Sequence, residues 1–107
     1  MRTHQDIDRR SLTLARAIVD RIDRDPEHHG LLAAREVCRR WLQAGPRPAV
    51  AEWQDILAGS WRDVRAVLLR DDEEGRRLRQ NSPFCSVLSA RERWDIYRQF
   101  AHESPAA

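Results

Sequence analysis

Between residues 6 and 24, "DIDRRSLTLARAIVDRIDR", apolar side chains return every three or four positions. At 100° per residue, Ile7, Leu12, Leu14, Ala15, Ile18, Val19 and Ile22 share one broad arc, and Arg9, Arg16, Asp20 and Arg24 fall opposite. That is the pattern of an amphipathic helix with one buried face. The same period runs through "DPEHHGLLAAREVCRRWLQAG", aligning Leu31, Ala34, Val37, Cys38, Trp41 and Leu42. Here Asp25 reads as an N-cap, Pro26 as the first helical position and Gly45 before Pro46 as the stop. Gly30 lies on the apolar side, where a close helix–helix approach would place it.

A shorter helix is predicted in "RPAVAEWQDILAG", with Val50, Trp53, Ile56 and Leu57 inward and Gly59 ending it. Ser60 then caps "WRDVRAVLLR", with Asp63 at the third position and Trp61, Val64 and Leu68 as the stripe. The acidic run "DDEE" at 71–74 suits a helix N-terminus, where negative charge complements the macrodipole. The helix it opens, about residues 73–80, has Leu78 as its one large apolar residue. A helix so polar reads as a solvated connector or a partner-facing element. "NSPFCSVL" follows as a turn and a short apolar run. Ser89 and Glu92 form a capping box for a last helix whose apolar arc holds Ala90, Trp94, Ile96, Tyr97 and Phe100.

Nothing alternates with a strand period, and no repeat is visible. The expectation is a single all-α domain over residues 1–107, a compact orthogonal bundle of five or six short helices. It should be ordered over about 7–101, with loose ends at 1–6 and 102–107. A chain of 107 residues hides roughly two thirds of its unfolded surface, enough for one modest core. All four tryptophans fall on apolar stripes and are expected in that core.

Charge alters the picture only in its distribution. A net charge of +2 excludes a polybasic nucleic-acid coat. Residues 46–74 carry four Arg against seven acids, whereas residues 75–101 carry six Arg against two. All nineteen basic residues are arginine, a bias that the Arg codons of a GC-rich genome explain. Cys38 and Cys85 lack CxxC spacing and are expected as free, buried thiols. No stretch approaches the roughly 20 apolar residues of a membrane span, and "MRTHQDIDRR" has no apolar leader core. A cytoplasmic protein without membrane contact is the expectation.

Candidate chemistry is thin. His28 and His29 beside Glu27 point about 100° apart on a helix and cannot share an ion without distant ligands, so no metal or other cofactor is expected. Ser82, Ser86, Ser89 and Cys85 have no histidine nearby in sequence, and neither a G-x-S-x-G elbow nor a Gly-rich phosphate loop occurs. No catalytic residue is nominated, and an enzyme is not expected. A helix-turn-helix is the serious rival, in "AVAEWQDILAGSWRDVRAVLL". Its second helix exposes Arg62, Asp63 and Arg65, and the leading acid opposes phosphate approach. Asp55 also stands four before the turn glycine, where such units want a small buried residue. A small DNA-binding regulator therefore stays as the alternative, with nucleic acid not the favoured partner. A non-catalytic helical subunit of a larger enzyme is a further alternative.

The densest stretch is "RRLRQNSPFCSVLSARERWDIYRQF", residues 76–100. Leu78, Phe84, Val87 and Leu88 would anchor it. Arg76, Arg77, Arg79, Arg91 and Arg98 would remain outward as a basic surface beside the turn that holds Gln80 and Asn81. Arg93 projects into the last helix's apolar arc, where a guanidinium needs an acid of the 71–74 run, loop carbonyls or an external partner. Together with Phe84, these residues make the candidate partner-binding site. Such a surface steers a protein onto an acidic cleft.

Two pieces, "LTLARAIVDRIDRDPEHHGLLAAREVCRRW" and "EGRRLRQNSPFCSVLSARERWDIYRQF", resemble small helical antitoxin-like proteins encoded beside bacterial toxin genes. The resemblance covers residues 11–100 and is sharpest in "LRQNSPF" followed by "LSARERW". It implies a protein-binding module that neutralises a co-encoded toxin by direct complex formation, with nucleotidyltransferase-like toxins as the associated class. It implies no particular site residues.

Overall fold

Six helices follow one another through the described residues, 4–103, of the computed structural model: α1 (His4–Asp23), α2 (His29–Ala44), α3 (Pro48–Leu57), α4 (Trp61–Leu68), α5 (Glu73–Arg79) and α6 (Ala90–Glu103). Side-chain surroundings are described for residues 7–99. The helical periods place the core as expected. From α1 it takes Leu12, Ala15, Val19 and Ile22, and from α2 Leu31, Ala34, Val37 and Cys38. Ile18 and Trp41 pack against its edge. The architecture is an all-α globule, and no described helix is long and apolar enough to cross a membrane.

The α1–α2 contact is close because Gly30 has no side chain. A Cβ there would stand 2.6 Å from Cγ1 of Ile22. The connection before it corrects the sequence reading, since Asp25 and Pro26 do not begin α2. Asp25 instead closes a turn, its Oδ1 accepting from the Glu27 amide at 3.1 Å and its Oδ2 from the His29 amide at 2.8 Å. One carboxylate thus serves two donors that a helix beginning at Pro26 would have arranged differently. His28 completes the reversal in the left-handed region, at φ 51°.

Trp53 is the centre of the packing. It is fully buried, meets Phe84 edge-on at 5.9 Å and donates its Nε1–H to the Leu78 carbonyl at 2.8 Å. A single indole therefore joins α3, α5 and the segment that follows α5, with its polar atom satisfied. Ser60 caps α4 by accepting from the Asp63 amide, and Asp72 caps α5 by accepting from the Gly75 amide at 2.8 Å. The turn into α5 is so tight that a Cβ on Gly75 would lie 2.2 Å from the Arg70 carbonyl oxygen.

Ser89 and Glu92 form the predicted reciprocal box at the start of α6, at 3.0 and 3.1 Å. The helix they begin differs from expectation. None of its described side chains is buried: Ala90 and Trp94 are exposed, Ile96 and Tyr97 half-buried. It packs chiefly on α1. The amphipathic arc is present in the sequence, but among the described residues no element covers its far side. The loose ends expected at 1–6 and 102–107 are helical at 4–6 and 102–103; the remaining positions lie outside the described residues.

Cys38 is fully buried, and burial pushes its thiol pKa up. Cys85 is exposed, against expectation, because the run around it turns Pro83, Phe84 and Leu88 inward and leaves Cys85 outside.

Candidate interaction site

The basic stretch does not form one continuous surface. Arg76 pairs with Asp8 of α1 at 3.3 Å, and Arg98 with Asp95 at 2.8 Å. Arg77 is forked between Glu52 of α3, at 2.8 and 2.9 Å, and Glu74, at 2.7 Å. The hydrogen bonds from Glu52 and then Glu74 raise the Arg77 guanidinium further above its ordinary value, and they hold both carboxyls below theirs. These three arginines have acids within the fold.

Arg79 departs furthest from the sequence reading. It is half-buried rather than outward. Its Nε donates to Ser11 Oγ at 2.9 Å, and its Nη1 donates to the carbonyls of Leu68 and Arg70 at 3.1 and 2.5 Å. It closes the C-terminal end of α4, where orphan carbonyls and the negative end of the helix dipole favour a cation. Its Nη2 is buried without a hydrogen-bond partner among the described residues, and burial, the largest influence, lowers the guanidinium pKa.

Arg91 is exposed and Arg93 half-buried, and neither guanidinium makes an ion pair or hydrogen bond among the described residues. Of the 71–74 acids anticipated for Arg93, Asp72 pairs with Arg70 and Glu74 with Arg77, and none pairs with Arg93. Phe84 is 1% exposed and serves as core, Gln80 is exposed and Asn81 half-buried.

What joins some of these residues is a trough of about 340 Å³ between α1, the end of α5, the 80–88 segment and α6. Leu14 and Ile18 of α1, with Leu68, Phe84 and Leu88, give it apolar walls, and Tyr97 closes the α6 side. Among the described residues Arg10, Arg79 and Arg93 are its charged residues, and no described Asp or Glu lines it. The Arg10 guanidinium stands 4.7 Å from the Tyr97 ring centroid, and Arg21 pairs with Glu92, so α6 is held to α1 by polar contacts. Of the nominated residues, Arg79, Gln80, Phe84 and Arg93 line the trough, whereas Arg76, Arg77, Asn81, Arg91 and Arg98 do not. The sequence gives no sign of the contributions of Arg10 and Tyr97, and no local motif marks them, since they meet only when α6 lies on α1.

Trp94 lies on the adjacent strip of α6 and is 60% exposed, unlike Trp53 and Trp61. Arg91 precedes it by one turn and Arg98 follows by one. In the helix-turn-helix segment Arg65 is engaged by Asp23 at 3.0 Å, leaving Arg62 as the α4 arginine with no ion pair among the described residues. Among the described residues, no group of three or more His, Cys, Asp or Glu is placed to hold a metal ion. No protein family, curated protein or solved structure matches the chain.

Proposed function

We propose that this chain is a protein-binding, antitoxin-like module that neutralises a co-encoded toxin by forming a direct complex with it. The observation that carries the reading is Trp94, 60% exposed, with Arg91 and Arg98 one turn away on either side. Tryptophan and arginine are the side chains most enriched at binding hot spots, because each gives a large contact area and directed polar groups. They stand here on the helix that contributes least to the core, so a partner can cover that face without competing with folding. The toxin class comes from the resemblance of "LRQNSPF" and "LSARERW" noted above. The test is co-expression with the product of the adjacent gene, scored for growth, followed by gel filtration of the two proteins. A stable complex and growth rescue are expected. Separate elution with no rescue overturns the reading, and salt-sensitive binding of this protein alone to duplex DNA favours a regulator in its place.

A further inference from the structure

The trough between α1 and α6 has a charge composition that its surroundings do not explain. The chain holds 19 arginines and 17 acids, yet among the described residues the lining takes three arginines and no acid. Three described acids that flank its walls in sequence are engaged: Asp8 with Arg76, Glu92 with Arg21 and Asp95 with Arg98. Arg93 is left half-buried at the α6 wall, its guanidinium with no ion pair or hydrogen bond among the described residues. Arg10 has a neutral ring, Tyr97, as its companion. Positive charge beside apolar walls, with water partly excluded, favours an anion attached to an apolar group.

We infer that the trough receives a segment of a partner protein that presents a carboxylate beside a bulky apolar side chain. The apolar group enters between Ile18, Phe84 and Leu88, and the carboxylate meets Arg93. The shape favours a protein segment over a free small molecule. The trough is partly open to solvent, whereas small-ligand sites enclose most of the ligand surface. It is also continuous with further contact area, Ile7 at one wall being 47% exposed and Trp94 lying one turn along α6 from Tyr97. The inference rests on the protein-binding reading and adds the chemistry of the bound segment.

The experiment pans a random dodecapeptide display library on the full chain, then measures fluorescein-labelled synthetic copies of the enriched peptides by anisotropy. Enrichment of Asp or Glu next to Phe, Leu, Ile or Trp is expected. Arg93→Glu should weaken those peptides about tenfold or more, and the affinity should fall with salt. Arg62→Glu, a reversal on exposed α4, should leave them unchanged, and unaltered circular dichroism of both variants checks the fold. Enriched peptides without acids, or equal binding by the Arg93→Glu variant, overturn the inference. So does a concentration-dependent dimer that the Arg93→Glu change dissolves, since the occupant would then be a second copy presenting its own 71–74 acids. If the adjacent gene product binds the Arg93→Glu variant as it binds the parent, the trough is refuted and the antitoxin reading stands. If the peptides bind while that product does not, the reverse holds.

Discussion

The indole Nε1–H of Trp61 donates to Oδ1 of Asp23 at 2.8 Å, fixing the start of α4 to the end of α1. That hydrogen bond is the largest influence lowering the Asp23 pKa, and the Arg65 guanidinium lowers it further. A carboxyl depressed by folding contributes stability that is complete above its unfolded value, about 3.9, and is lost as pH falls through the folded value. The Trp61 indole N–H resonance should hold its position down to about pH 4 and move only in more acid solution. A midpoint above the ordinary aspartate range would contradict this coupling.

Arg79 and Arg77 stand two residues apart on α5 and should respond differently to truncation. Arg79→Ala removes the bonds to Ser11, Leu68 and Arg70 and uncovers the end of α4. Denaturant melts should show a loss of about 1–3 kcal/mol. Arg77→Ala breaks exposed ion pairs and should cost measurably less, by a difference from the parent that shrinks as salt is added. Equal losses at high salt would show that Arg79 is not a structural residue.

Replacing a helical glycine by alanine ordinarily stabilises a helix by up to about 1 kcal/mol. Gly75→Ala should do the reverse. Its Cβ would meet the Arg70 carbonyl oxygen at 2.2 Å, and backbone must move to relieve that. Thermal melts should show destabilisation of about 1–3 kcal/mol, as overpacked sites do. A stabilised variant would mean that the turn between α4 and α5 is looser than described.

Two tryptophans mark the difference between core and contact surface. Trp53→Ala opens a cavity beside Phe84 and removes one of the two donors to the Leu78 carbonyl, which keeps the Asn81 amide, for a cost of about 3–5 kcal/mol. Trp94→Ala should change stability by less than about 0.5 kcal/mol while weakening the complex with the adjacent gene product. Calorimetry of the variant alone and gel filtration of the mixture separate the two effects.

The helices α1 to α4 are legible in the sequence because each carries enough apolar residues at one period to demand a single buried face. The caps at Ser60 and Ser89 are legible because they are local. Asp25 misleads because an Asp-Pro pair signals a helix start as readily as a turn, and the choice depends on where Gly30 meets Ile22. The arginines of α5 mislead for a related reason. Pairing of Arg77 with Glu52 and of Arg76 with Asp8 joins residues distant in the chain, so sequence charge counts do not show it. A signal for Arg79 is nevertheless present. It lies four residues after Gly75 and one after Leu78, on the one face of α5 that is buried. In α6 the periodicity is real but the helix packs chiefly on α1, so of the expected core Trp94 is exposed and Ile96 and Tyr97 are half-buried.

A helix with no buried described side chain, pinned by Arg21–Glu92 and by Arg10 over Tyr97, opens at a lower free energy than the bundle beneath it. Its backbone amides should exchange with deuterium through detachment of α6, while those around Trp53 await global unfolding. An occupant of the α1–α6 trough would slow exchange selectively in α6 and the adjoining face of α1. The exchange map of the mixture would then locate the bound face residue by residue, and the degree of slowing would report how fully it was occupied.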